Sequence, residues 1–414
     1  MSSQANLATD WRAGYGPIAH RSETIERMQA LVQRLVAQRR IADEASAHAL
    51  LAAADRVACT AMSVVAHMTY ARRIDRSGCP LGSDDFKQTP EGHTGGSLNM
   101  VPAFVGYLLA NALTGTTRGW LMGQGHCVAA IEAVNALTGD VSAAQRGRYD
   151  RSEAGLSRLI ADFYSYAIDK QGRPAVPLGS HAGPNTAGAI SEGGYLGFAG
   201  LQYVHTPLPG ESLVAFLSDG AFEEHRGSDW APRWWRAEDC GFAIPVMILN
   251  GRRIEQRTQI VQEGGATWLA EDLRHNGFDP VIVDGRDPMA IAWAIVESED
   301  TLSAFAAQSN RRYPVKFPYV IAETEKGFGF PGAATNAAHN LPLDGNPREH
   351  AQAREAFNAG AAALFVPEIE LENALTVLAN HGKNRRSRES EHPMARRHPA
   401  SPHLPVPAWA PTKV

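Results

Sequence analysis

Two apolar runs constrain this chain most: LVAFLSDG, ending at Gly220, and IPVMILNG, ending at Gly251. Neither alternates apolar with polar residues, and each stops at a polar side chain followed by glycine. A strand with no polar side must be buried on both faces, which is the habit of parallel sheets whose connections carry helices across them. The stretch between the two runs has the length of such a crossover. Two further runs, PVIVDG and YVIAETEKG, are separated by DPMAIAWAIVESEDTLSAF, which reads as a helix. The pattern predicts an α/β fold, a doubly wound, mostly parallel sheet with helices on both faces. Asp219 and Asn250 would then stand at the carboxyl edge of adjacent strands, where open α/β sheets bind their ligands.

Before the sheet, apolar residues recur at spacings of three and four in IERMQALVQRLVAQ and ASAHALLAAADRVACTAMSVVAHM, so residues 1–80 are expected to be a helical segment packed on a main domain at 81–381. Residues 382–414 differ in kind, with a basic cluster and prolines at 393, 399, 402, 405, 407 and 411, and read as a linker or disordered tail. The 414 residues are 44% hydrophobic with a net charge of -5, a globular profile without the basic footprint of a nucleic-acid binder. No stretch approaches the roughly 18 uncharged apolar residues of a membrane helix. The amino terminus lacks a basic start followed by an apolar run, so a cytoplasmic location is expected. Cys59, Cys79, Cys127 and Cys240 are too scattered for a paired zinc motif or a disulfide framework, which leaves oxygen as the expected ligand for any metal.

An Asp carboxylate, an Asn amide oxygen and a main-chain carbonyl just past the Asn would suit magnesium, completed by two diphosphate oxygens. SDG and NG are equally ordinary as strand-end turns. SDGAFEEHRG followed by VMILNGRRI resembles the thiamine diphosphate motif of the phosphoketolase/transketolase superfamily, and more closely that of phosphoketolases. EGHTGGSLN and LMGQGHC resemble that superfamily's first two histidine turns. LGSHAGPNTAGAISEGGYLG resembles a phosphoketolase run with a serine–histidine pair and a segment that packs on the cofactor. ETEKGFGFP and TNAAHNLPL resemble the region that supplies a lysine and a further histidine. The resemblance spans roughly residues 90–345 in the family's order.

Carried over by position, the resemblance implies magnesium on Asp219, Asn250 and the carbonyl of Arg252, with Gly220 letting the backbone approach the diphosphate. It implies cofactor contacts at Gly194, Leu196, Gly197 and Lys326, and catalytic roles for His93, His126, His181 and His339. Cleaving a ketose needs groups that move hydroxyl protons near neutral pH, and imidazoles do so. Taken singly, most of the fifteen histidines would be structural; the motif setting singles out these four. The implied activity is thiamine diphosphate-dependent cleavage or two-carbon transfer on a sugar phosphate such as xylulose 5-phosphate or fructose 6-phosphate. A homodimer, or a partner subunit bearing the glutamate that activates the cofactor, is implied as well, because the stretch after residue 382 reads only as a linker.

Glu223 and Glu224 could face that partner or complement a helix amino terminus. Trp230, Trp234 and Trp235 read as packing. Ser218 departs from the family's usual glycine, and Cys127 with the residues after it departs from a Gly-Gly-Pro turn. Two other functions suit parts of the pattern: a pentulose-phosphate epimerase or isomerase, which needs only an acid and a base, and a noncatalytic cofactor-binding subunit. A nicotinamide oxidoreductase does not fit, since no GxGxxG opens an early βα unit.

Overall fold

The computed structural model describes residues 11–177, 179, 212–224, 243–310, 312 and 315–379. Its strands are β1 (Gly119–Met122), β2 (Leu213–Ser218), β3 (Ala243–Leu249), β4 (Arg252–Arg253), β5 (Gln256–Arg257), β6 (Phe278–Asp284) and β7 (Phe317–Glu323). Five of them form one parallel sheet in the order β1-β2-β3-β7-β6, and β4 and β5 pair as a small antiparallel hairpin. β3 is buried along its whole length, and β2 and β7 up to their last residue. The edge strand β6 alternates more, as a strand with one paired side can. This is the α/β architecture that the uninterrupted apolar runs imply.

The helices that follow in the description are α1 (Ser22–Ala37), α2 (Glu44–Tyr70), α3 (Thr94–Thr114), α4 (Val128–Thr138), α5 (Asp219–Glu223), α6 (Ala266–His275), α7 (Pro288–Ala306), α8 (Ala351–Ala363) and α9 (Glu368–Ala379). α6 and α7 both pack on β6 and β7, while α3 lies between α7 and α2. α7 starts as its sequence demands: Asp287 caps it by accepting from the Met289 amide at 2.8 Å, and Pro288 takes the first position, where no amide hydrogen is needed.

α2 is enclosed on all sides, every residue from Leu50 to Tyr70 being buried, and it shares one hydrophobic cluster with the sheet. Two of these buried residues, Asp55 and Arg56, are charged. α2 and α3 are long and apolar enough to cross a membrane by length and composition, which the sequence reading did not anticipate. In each, 94% of the apolar window is buried inside the fold, so that surface is already engaged.

Two local differences from the sequence reading bear on the site. The helix that the EGHTGGSLN turn leads into starts earlier than its glycines suggest, because α3 begins at Thr94 and takes Gly95 and Gly96 into its first turn. β1 was not anticipated either; four residues with an exposed Trp120 offer too short and too mixed a pattern for a two-residue period to register. The tail at 382–414 lies outside the described residues.

Before α1, the side chain of His20 is fully enclosed between two carboxylates, 3.0 Å from Asp55 on α2 and 2.9 Å from Asp287 at the start of α7. Burial opposes its charge, but the two carboxylates prevail and push its pKa up to about 10. Removing one member of such a cluster leaves buried charge uncompensated, at a cost of about 3–5 kcal/mol. His20→Ala is therefore expected to lower the melting temperature by several degrees, as read by differential scanning calorimetry. The folded pKa lies above the unfolded value of about 6.5. Burial lifts Asp55 to about 6, so the contribution of His20 is greatest near pH 6.5 and disappears as pH rises towards 10, a decline that the variant should lack.

Candidate functional site

Parallel strands put all their carboxyl ends at one edge, and the register here aligns them closely. Ser218 sits opposite Ile248, and Leu249 opposite Glu323, so the residues that follow β2, β3 and β7 emerge side by side. From these ends come Asp219, Asn250 and Lys326. The segment after β1 brings Gln124 and His126, and His93 caps α3 from across the cavity. Together with His339, these residues line a cavity of about 230 Å³.

Asp219 is almost wholly buried and its carboxylate is pinned by two main-chain amides, Gly220 donating to Oδ1 at 2.9 Å and Gly251 to Oδ2 at 2.7 Å. Burial dominates these bonds and raises its pKa to about 7. Gly251 has φ +76°, a conformation that costs glycine nothing, and it is this turn that aims its amide at Asp219. Asn250 Oδ1 accepts from the Arg252 amide at 3.1 Å, which turns the chain into the β4–β5 hairpin. The hairpin's tip, Ile254, is a β-branched residue held at φ +44° on the cavity wall, a local strain of the kind that collects at functional sites. At Gly220 a Cβ would lie 2.9 Å from Cβ of Arg253, so the glycine lets the hairpin pack on α5.

The Ser218 hydroxyl caps α5 by accepting from the Ala221 amide at 3.4 Å. Glu223 lies at the carboxyl end of α5, and its Oε1 accepts from the Ile260 amide at 2.6 Å. It thus complements the amino terminus of another helix, Gln259–Glu263, as the helix dipole favours. Glu224 lines the cavity.

The imidazoles meet edge to face. The ring of His93 is 4.0 Å from that of His126 and 4.4 Å from that of His339, measured between centroids. Burial, then the neighbouring His126, Lys326 and His339, drive the pKa of His93 well below its ordinary value. Burial and the Lys326 charge lower His339 to about 3. Lys326 is itself buried, which brings it down to about 8, so near neutral pH it remains mostly an ammonium. It donates to Nδ1 of His339 at 2.8 Å and approaches the Arg252 carbonyl at 3.4 Å. With Nδ1 accepting from the ammonium, neutral His339 carries its hydrogen on Nε2.

Several supporting residues were invisible in the sequence reading. Asn99 holds the Lys326 loop through the Glu325 carbonyl at 2.7 Å and the Gly327 amide at 3.3 Å. The Arg252 side chain bonds the Asn336 side chain and the Ala334 carbonyl, tying the hairpin to the loop that carries His339. Asn99 closes the first histidine motif, and that position was its only signal. Cys127 was read as isolated, yet its Sγ lies 3.7 Å from Nδ1 of His93. The oxygen-only expectation for metals is thus incomplete: His93, His126 and Cys127 each present a ligand atom, all within 4.8 Å of one another.

Of the residues singled out from sequence, His93, His126, His339, Asp219, Gly220, Asn250, Arg252 and Lys326 surround this one cavity. His181, Gly194, Leu196 and Gly197 lie outside the described residues, as do Trp230, Trp234 and Trp235.

The family profile described as the XFP N-terminal domain matches residues 46–368, which takes in every described cavity residue. The chain belongs to the XFP N-terminal domain family. This places it in the thiamine diphosphate-dependent phosphoketolase/transketolase superfamily, as the motifs imply. It is 25% identical over 343 residues to "Probable phosphoketolase 2" of Lactiplantibacillus plantarum, covering 73% of this chain and 41% of that protein. It is 27% identical over 334 residues to "Probable phosphoketolase" of Mycobacterium avium, covering 74% of this chain and 40% of that one. The chain therefore spans about two fifths of the length of these curated relatives. Among solved structures, a transketolase from Campylobacter jejuni aligns with a TM-score of 0.46 at 15% identity, over 80% of this chain and 46% of that one.

If Lys326 suppresses the charge on His339, Lys326→Met should raise the pKa of His339 towards the ordinary imidazole value. Histidine carbon–proton NMR titration reads this directly; an unchanged His339 would leave burial as the whole cause.

Proposed function

We propose that this chain is the diphosphate-binding half of a phosphoketolase-type enzyme, with residues 81–381 as the cofactor-binding unit and the helical residues 1–80 packed on it. The observation that carries the reading is the buried Asp219 carboxylate, held by two strand-end amides beside the Asn250 amide and the Arg252 carbonyl. That donor set fits magnesium and a diphosphate. It is all oxygen, and each Asp219 oxygen keeps a lone pair beyond its single amide bond. A carboxylate whose burial lifts its pKa to about 7 is moreover a group that a cation would relieve.

Thiamine diphosphate, when bound, supplies a thiazolium carbon that adds to a ketose carbonyl and holds the electrons of the breaking carbon–carbon bond. The chain's own residues manage protons and position. His93, neutral near pH 7, offers a ring nitrogen as an acceptor to a substrate hydroxyl, and its Nε2 is buried without a hydrogen-bond partner among the described residues. His339 offers Nε2–H as a donor, backed by the Lys326 ammonium. His126 completes the imidazole wall, and we assign His181, Gly194, Leu196 and Gly197 to the same site by resemblance. The substrate class proposed is a ketose phosphate, xylulose 5-phosphate or fructose 6-phosphate, in the cytoplasm. The glutamate that activates the cofactor would come from sequence that these curated relatives have beyond the matched span, on the same chain, a second copy or a separate subunit.

Calorimetric titration of thiamine diphosphate with magnesium is expected to show binding that Asp219→Ala abolishes. An assay with fructose 6-phosphate and phosphate should then give acetyl phosphate once the remaining sequence is supplied. Protons compete with the cation at Asp219, so magnesium affinity should fall about tenfold for each pH unit below 7. Magnesium-independent binding, or a flat profile, would remove Asp219 from the site.

A further inference from the structure

We propose that His93, His126 and Cys127 form a site for a soft divalent cation, zinc by preference, separate in chemistry from the oxygen donors around Asp219. Two imidazoles and a thiol are ligands that magnesium avoids and zinc selects. Their ligand atoms already lie within 4.8 Å of one another. The 3.7 Å between Sγ of Cys127 and Nδ1 of His93 is close to the roughly 3.5 Å edge expected of a tetrahedral site with zinc–sulfur and zinc–nitrogen bonds of about 2.3 and 2.0–2.1 Å. The more distant pairs, within 4.8 Å, would draw in by up to about 1.5 Å to close around an ion.

The fold makes room for this pair at one position. A Cβ on Gly96 would lie 2.2 Å from Cε1 of His93 and 2.8 Å from Sγ of Cys127, so only glycine lets the first turn of α3 bring the imidazole and the sulfur together. His93 is held neutral by burial and by neighbouring positive charge, which is the form that binds metal. The Lys326 ammonium opposes a dication nearby. On coordination the Cys127 thiol gives its proton to solvent, and the thiolate offsets one of the two charges. Three ligands among the described residues leave a fourth position, which Nδ1 of His339 does not fill because it is taken by Lys326. An ion here would hold two of the histidines that the proposed reaction needs, and zinc would therefore act as an inhibitor. The site itself rests on ligand geometry and stands whether or not thiamine diphosphate binds.

The test is titration of the full reduced chain with cobalt(II), in the absence of thiamine diphosphate. One equivalent should bring a thiolate-to-cobalt charge-transfer band in the near ultraviolet together with the intense visible bands of a tetrahedral ion, and zinc should bleach both. Cys127→Ser should lose the charge-transfer band and weaken zinc binding by more than about tenfold. Cys79→Ser and Asp219→Ala should retain the band, the latter separating this site from the magnesium reading. Gly96→Ala should weaken binding by wedging the ligands apart. In the unmutated chain, zinc should slow alkylation of Cys127 but not of the exposed Cys79. A missing band, a band that survives in Cys127→Ser, or alkylation of Cys127 indifferent to zinc would each overturn the proposal.

Discussion

The site depends on one buried carboxylate that joins two strand ends. Asp219 takes an amide from its own turn and another from the turn after the neighbouring strand, and so fixes the spacing between the carboxyl ends of β2 and β3. Without those bonds Asp219 would be an unpaid desolvation cost in the core. With them it remains strained, ionising only near neutrality. The hairpin that follows, the glycine it packs on and the side-chain bonds of Arg252 to the His339 loop all take their position from this junction.

Around that junction, burial separates charge from neutrality. One lysine keeps most of its charge, and the imidazoles it faces lose theirs. The result is a cavity wall on which His93 and His339 stand as neutral nitrogen bases beside the Lys326 ammonium, whose hydrogen bond sets the tautomer of His339. Such a wall can accept and return protons without first paying to discharge an imidazolium, and its neutrality also makes it receptive to a metal.

Much of this was legible in the sequence because a parallel sheet writes itself as uninterrupted apolar runs whose ends are the ligand edge. Asp219, Asn250 and Lys326 each stand one to three residues past such a run, and the motifs named the histidines. What stayed hidden depends on distance across the fold. Asn99 and Cys127 acquire meaning only when α3 is laid beside β7 and the segment after β1. Glu223 serves a helix that begins 36 residues later, at Gln259, a relation no local pattern carries. β1 escaped notice because its pairing with β2 spans a long insertion and leaves only four residues to show it.

The central helix α2 raises a problem of orientation. A helix apolar all round has no wet side, so the hydrophobic effect alone leaves its rotation about its own axis undetermined. Its two adjacent charges settle the matter. Asp55 meets His20, while Arg56 reaches Glu370 on α9 at 2.9 Å and lies over the ring of Tyr15. Turning the helix by one residue, about 100°, would drive both charges into hydrocarbon. The pair thus acts as a key in a shaft, and it fixes which faces of α2 are offered to α3 and α4, the two helices that lead directly from His93 and His126.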